Sequence, residues 1–89
     1  MLRGEIYASV GDEVFFFKDT ADRKVKVQSC KVVAELVYNK KWYKIFDFEL
    51  EEGGLDIKDI ITDSREYFLS KSSAEDAAVE YLRKHYLLS

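Results

Sequence analysis

The spacing of apolar residues changes at Ser70, and this change constrains the fold more than any other feature of the chain. Before it, apolar residues alternate or form short aromatic clusters, which is typical of β-strands. After it, they recur every three to four residues, which is typical of a helix with one buried face: Ala74, Ala77, Ala78, Tyr81, Leu82 and His85. The pattern predicts a β-rich body over residues 3–69 and one C-terminal amphipathic helix over residues 70–86.

The start of this helix has two possible caps. Ser70 can act as the N-cap, with Leu69 and Ala74 as a hydrophobic staple. Ser72 can instead form a capping box with Glu75, three residues later. Both alternatives stay open from the sequence.

Alternation and aromatic clusters predict five or six strands in the body. One of these segments, residues 55–61, fits a strand or a short helical turn, and its β-branched isoleucines favour the strand. Residues 66–69 fit a last short strand or an extended lead-in to the helix. The remaining expected strands are residues 5–10, 14–18, 24–38 (divided by a turn or bulge) and 42–50.

Two local features predict how the strands connect. Val25 and Val27 occupy odd positions whereas Val32 and Leu36 occupy even ones, so a turn or bulge is expected within residues 28–30. Residues 39–41 predict a tight hairpin, because asparagine tolerates the positive φ that such turns require.

The length of 89 residues predicts a single domain over residues 1–89, and 47% hydrophobic residues can supply one core. Cys30 is the only cysteine, which excludes an intramolecular disulfide and a cysteine-based zinc site and favours a reducing compartment. No apolar run has the length of a signal peptide or a membrane span. We therefore expect a cytoplasmic protein without membrane association, present as a monomer or a small homo-oligomer.

The net charge of −3 conceals an asymmetry along the chain. Residues 18–44 carry eight basic and three acidic side chains, which gives a net charge of +5. Residues 47–66 carry two basic and eight acidic side chains, which gives a net charge of −6. The acidic segment is interpreted as a solvated face. A surface that mimics nucleic acid is the alternative.

Two segments resemble known groups of proteins. Residues 10–16 resemble the hydrophobic-Gly-Asp-x-Val opening of SH3-like small β-barrels, and residues 67–75 are similar to a strand, cap and helix ending found in small proteins of bacteriophages and mobile elements. With the strand pattern, the resemblance implies an α+β fold: a small bent antiparallel sheet or SH3-like barrel of five to six strands, followed by one C-terminal helix. An open antiparallel sheet with the helix across one face is the alternative. The resemblance assigns no functional residue.

Three candidate chemistries lack the partners they need. His85 has no histidine or cysteine companion, so we interpret it as a surface residue at the helix end. Cys30 is adjacent to Lys31, but neighbours in a strand point to opposite faces, so we interpret it as a small buried or edge residue. Asp56, Asp59 and Asp63 do not have the spacing of a calcium loop. No catalytic residue, metal site or cofactor is predicted.

The sharpest candidate for binding is a run of cations and aromatics beside the expected hairpin: Lys40, Lys41, Trp42, Tyr43 and Lys44. Such a tip can contact phosphates and stack on unpaired bases. Trp42, however, shares its phase with Phe46 and Phe48, which favours burial. A second candidate surface is the apolar end of the chain, Tyr86, Leu87 and Leu88, which fits either a cap on the mouth of the expected barrel or a dimer contact.

These observations favour a non-catalytic binding or adaptor domain that acts through protein contacts. A weak single-stranded nucleic-acid-binding domain that uses residues 40–44 is the alternative, disfavoured by the acidic pI of about 5.1. An enzyme ranks third, because acid–base, nucleophilic and metal chemistry each lack the second side chain that they need.

Overall fold

The fold, described here from a computed structural model over residues 1–22, 24–51 and 54–87, is an open three-stranded antiparallel sheet combined with helices. The strand order is β1-β2-β3. The strands are β1 (Glu13–Asp19), β2 (Val25–Tyr38) and β3 (Lys41–Phe46), and the α-helices are α1 (Asp47–Glu51), α2 (Ile57–Thr62) and α3 (Lys71–Leu82). A 3-10 turn, Arg3–Glu5, precedes the sheet, and a π-helical turn, Arg83–Leu87, extends α3.

The α+β class is confirmed, whereas the barrel of five to six strands is wrong for the described residues. Residues 6–9 are irregular rather than a strand, and the expected strand over residues 42–50 ends at Phe46, where α1 begins. Helix α2 covers residues 57–61 of the segment 55–61, so the helical alternative was the right one. Residues 66–68 are an extended lead-in, joined to Leu2 and Phe15 by isolated β-bridges.

Side-chain caps explain why two alternating segments became helices. The Asp56 carboxylate accepts a hydrogen bond from the Lys58 amide at 2.9 Å and caps α2. The Glu49 carboxylate accepts one from the Phe46 amide at 2.9 Å, at the junction of β3 and α1. Aspartate and glutamate that bind nearby amides offer the backbone an alternative to a strand ladder.

Strand β2 is continuous, and its bulge lies between Val32 and Ala34 rather than at residues 28–30. The shift of apolar residues from odd to even positions arises because the sheet buries both faces. Cys30 and Val32 lie in the main core, whereas Val27 pairs with Phe17, whose ring contacts Tyr81 of α3 at 5.5 Å. A change of phase therefore marks a change of face, not a turn.

Ser70 is confirmed as the N-cap of α3, because its hydroxyl accepts a hydrogen bond from the Ser73 amide at 3.2 Å. Ala74 and Ala78 are buried, which allows close packing on the sheet. His85 is exposed, which confirms its interpretation as a surface residue at the helix end and shows that it does not belong to the buried face of α3. Its ring packs on Tyr81 at 4.2 Å between centroids. None of the helices within the described residues has the length and apolar character needed to cross a membrane.

The β2–β3 hairpin is confirmed and extends beyond the core. Asn39 and Lys40 form its two-residue turn with φ of 50° and 64°, the left-handed pair that a type I′ turn requires. Val37, Tyr38 and Trp42 near the turn are exposed, while Phe46 at the other end of β3 is fully buried. The hairpin therefore presents side chains on an arm rather than in the core.

Candidate functional site: a groove beside the β2–β3 hairpin

A groove of about 650 Å³ lies between the N-terminal segment, residues 2–7, and the start of β3, residues 41–44. Ile61 and Asp63 also line it. We call this feature the hairpin groove. Its volume lies within the range of ligand sites in proteins, which is roughly 300–1,000 Å³.

Buried Arg3 holds the N-terminal segment beside β3. Its side chain is 4% exposed, and its Nη1 donates to both carboxylate oxygens of Glu49 at 2.9 and 2.8 Å. Nη2 donates to Asp63 at 2.7 Å and to the Tyr67 hydroxyl at 3.3 Å, while Nη1 also reaches the Lys44 carbonyl at 3.3 Å. We call these five residues the Arg3 network.

The Arg3 network favours the charged form of Asp63 and the neutral form of Tyr67. Burial works against the charge of the Asp63 carboxylate, but hydrogen bonds from Tyr67, the Arg65 amide and Arg3 outweigh it and lower the pKa of Asp63. Burial and the bond to Asp63 raise the pKa of the Tyr67 phenol. The Asp63 carboxylate is thus committed to Arg3 and Tyr67, and Asp56 to the α2 cap.

Gly4 lies directly against the start of β3. A Cβ at this position would lie 3.4 Å from the Trp42 carbonyl oxygen and 3.7 Å from the Tyr43 ring. Both distances are ordinary van der Waals contacts, so an alanine would fit against the edge of β3 at this position.

The structure brings four of the five predicted tip residues into the hairpin groove, and the fifth, Lys40, lies in the turn beside it. The side chain of Trp42 is 57% exposed, so the alternative of a buried tryptophan is wrong. Tyr43 is half-buried. Lys44 forms an ion pair with Glu35 at 2.8 Å, which leaves Lys40 and Lys41 as the exposed cations of the tip.

Tyr7 is a functional candidate that the sequence reasoning missed. It lines the hairpin groove and is 85% exposed, although its segment read as a strand. Val37 lies directly opposite Trp42 in the β2–β3 register and is 51% exposed. Nothing in the local pattern separated these residues from core residues. Arg3 carried no signal either, because a buried arginine and a surface arginine look alike in a sequence.

The second predicted surface, at the end of the chain, is described only in part. The Tyr86 hydroxyl donates to Asp19 at 2.6 Å, and Tyr81 donates to the same carboxylate oxygen at 2.8 Å. These bonds, that of Tyr86 foremost, lower the pKa of Asp19. Tyr86 thus joins the helix end to β1. The side chain of Leu87 and all of Leu88 lie outside the described residues.

The remaining candidates are the Cys30 thiol and possible clusters of metal-binding side chains. Cys30 is buried, and burial together with the nearby Asp47 and Glu49 raises its pKa to about 12, so the thiol is protonated at neutral pH. Among the described residues, no group of three or more histidine, cysteine, aspartate or glutamate side chains is placed to hold a metal ion.

Comparisons of the chain with known protein families, with curated proteins and with solved structures find no match. The resemblance to SH3-like barrels and to small phage proteins therefore stays a prediction.

Proposed function

We propose that this protein is a non-catalytic binding domain that accommodates a segment of a partner protein in the hairpin groove. The observation that carries the proposal is the exposure of two large aromatic side chains, Trp42 and Tyr7, which line one groove from different parts of the chain. Tryptophan and tyrosine contribute most to binding when they enter a pocket or receive a partner side chain. Their large faces supply apolar contact with few rotatable bonds.

The charges of the groove favour a protein over a nucleic acid. Two of its cations are already neutralised, Arg3 by Glu49 and Asp63, and Lys44 by Glu35. Phosphate backbones are bound by several unpaired cations, and binding depends steeply on salt. Lys41 is the exposed lysine of the groove, and Glu5 opposes it in charge. We therefore expect a partner segment that supplies apolar side chains to Trp42 and Tyr7 and one acidic group to Lys41.

A single-stranded nucleic acid is the second candidate, and one observation favours it. Lys40 and Lys41 are exposed at the tip next to the exposed rings of Tyr38 and Trp42. Base stacking on such rings is worth about 1–3 kcal/mol per base. This candidate uses the end of the hairpin rather than the groove.

The test combines site-specific cross-linking with variants. A photo-cross-linking phenylalanine derivative replaces Tyr7, and the protein is exposed to lysate with and without nuclease. Trp42→Ala should abolish the cross-linked protein band while leaving the circular dichroism spectrum unchanged. Val79→Ala, which removes an exposed apolar side chain on α3 that is 54% exposed, is the matched control.

Three results contradict the proposal. They are a band that persists in Trp42→Ala, a band that Val79→Ala removes equally, and a band that disappears on nuclease treatment. The last result, with binding lost in Lys40→Gln and Lys41→Gln and a steep salt dependence, would establish the nucleic-acid alternative.

A further inference from the structure

A second concavity adjoins the hairpin groove. It has a volume of about 370 Å³ and is lined by residues of α1, of α2 and of the segments on either side of α2. Arg3 and Asp63 line both concavities, so the two meet at the Arg3 network. We call the second one the acidic cleft, because four of its lining side chains are carboxylates: Glu49, Asp56, Asp59 and Asp63.

The conformation of α2 explains why three of these carboxylates lie together. Asp56, Asp59 and Asp63 are three and four positions apart, which is the spacing of residues on one face of a helix. The segment between Asp56 and Asp63 is helical, and these two residues are its caps. An extended strand would have turned Asp56 and Asp59 to opposite faces.

Two of the four carboxylates have oxygens available to a ligand. Glu49 and Asp63 are committed to Arg3, at 2.8 and 2.7 Å. Asp56 uses one oxygen to cap α2, and its other oxygen accepts no hydrogen bond from the described residues. Asp59 forms neither a hydrogen bond nor an ion pair with them. Asp56 and Asp59 are both exposed.

The two concavities differ in the sign of their charge. Four acidic and two basic side chains line the acidic cleft, which gives a net charge of −2. Two acidic and three basic side chains line the hairpin groove, which gives +1. The Arg65 guanidinium in the cleft packs over the Phe16 ring, 4.8 Å from its centroid. The cleft therefore favours a cation and disfavours a phosphate.

A basic side chain fits the acidic cleft better than a metal ion. Within the part of the chain that the structure describes, no three histidine, cysteine, aspartate or glutamate side chains are placed to hold a metal. A lysine or arginine side chain requires only one or two carboxylates, and its charged nitrogens donate the hydrogen bonds that the oxygens of Asp56 and Asp59 lack.

The junction of the two concavities carries an unsatisfied donor. The Arg3 side chain is 4% exposed, and its Nε has no hydrogen-bond partner among the described residues. A buried donor without an acceptor is costly. A backbone carbonyl of a segment that crosses from the hairpin groove to the acidic cleft would supply the acceptor.

We infer that the partner segment continues from the hairpin groove into the acidic cleft and places a lysine or arginine side chain against Asp56 and Asp59. This inference rests on the proposed function, because one segment occupies both concavities. Lys41 lies at the turn end of β3, and Arg3 binds the Lys44 carbonyl three residues further along. The side chains of the segment therefore follow the order acidic, apolar, basic.

The test is an NMR titration of the full chain with two synthetic peptides. The basic peptide is acetyl-Asp-Leu-Leu-Gly-Ser-Gly-Ser-Lys-Lys-amide, whose flexible linker lets the lysines reach the cleft. The neutral peptide has glutamine in place of both lysines. The basic peptide should cause saturable shifts in the amides of Tyr7 and Trp42 in the groove and of Leu55, Asp59 and Thr62 in the cleft. The neutral peptide should shift only the groove amides and bind about tenfold more weakly.

The variant Asp56→Asn/Asp59→Asn removes both available carboxylates and keeps the cap of α2, because asparagine is as good an N-cap as aspartate. It should bind the basic peptide about tenfold more weakly than the wild type, roughly a factor of three for each exposed ion pair. Its affinity for the neutral peptide should not change. Glu75→Gln/Asp76→Asn is the matched control, since it removes two exposed carboxylates of α3 and should leave both affinities unchanged.

Equal affinities of the wild type for the two peptides would overturn the inference, as would equal weakening in the cleft variant and its control. In either case, groove shifts that Trp42→Ala abolishes would leave the proposed function standing. Cleft shifts without groove shifts would contradict both, because no single segment would then span the two concavities. An absence of saturable cleft shifts with the basic peptide would overturn the inference alone, and cross-linking from position 7 tests the proposed function independently.

Discussion

Replacing Arg3 with methionine is expected to destabilise the fold more than any other single substitution of a charged residue in the described chain. The methionine roughly preserves the length and apolar stem of the side chain but removes its charge. Arg3 is 4% exposed, and the Glu49 and Asp63 side chains are each 14% exposed, so both carboxylates would be left largely buried without a cation. Removal of one partner from a buried ion pair costs about 3–5 kcal/mol.

The expected loss lies near the lower end of this range, at about 3 kcal/mol, because both carboxylates keep other donors. Glu49 still accepts from the Phe46 amide, and Asp63 still accepts from Tyr67 and the Arg65 amide. A domain of this length has a free energy of unfolding of roughly 4–13 kcal/mol. A loss of about 3 kcal/mol therefore corresponds to a decrease in Tm of roughly 12–24 °C.

Urea unfolding followed by circular dichroism measures this difference. Lys44→Met is the matched control, since its pair with Glu35, at 14% and 31% exposure, is more open to water and should cost less than about 1 kcal/mol. The variant Arg3→Met/Glu49→Gln/Asp63→Asn should regain part of the loss, because the unpaired charges are gone. A loss below about 1 kcal/mol in Arg3→Met, or a triple variant as unstable as the single one, would refute the reasoning.

Three further predictions concern the hairpin, the thiol and the response to acid. Lys40→Gly should raise the free energy of unfolding by about 1 kcal/mol, because Lys40 has a φ of 64° that glycine adopts without strain, and an unchanged urea midpoint would contradict this. Cys30 should resist alkylation at pH 8 in the native protein and react readily in urea, since burial raises its pKa to about 12, and a fast native reaction would show that the thiol is accessible. The pKa of Asp63 is lower in the folded than in the unfolded chain, so its contribution is complete above the unfolded value of about 4 and is lost as the pH falls through the folded value. Stability measured from pH 7 to pH 3 should accordingly fall less in Asp63→Asn than in the wild type, and parallel profiles would contradict this assignment.

The candidate site was predictable only in part. The Lys40–Lys44 run was visible because charge and aromatic residues adjoin a turn signal at Asn39, and that signal depends on local backbone chemistry. Whether Trp42 is exposed was not visible, because alternation assigns a residue to a face of a strand but does not say where along the strand the core ends. Tyr7 and Arg3 reach the groove from the other end of the chain, so no local pattern could associate them with β3.

On its own, the sequence decides the features that depend on neighbouring residues. These include the α+β class, a C-terminal helix that starts at Ser70 or Ser72, and the Asn39-Lys40 turn. The tertiary structure alone decides the number of strands and the two faces of β2, since burial on both faces removes the simple alternation that marks a half-buried strand. The tertiary structure also decides the groove. The buried guanidinium of Arg3 binds Glu49 and Asp63, which lie 46 and 60 positions further along the chain. Contacts over such separations depend on how the whole chain packs, and no spacing rule within a segment encodes them.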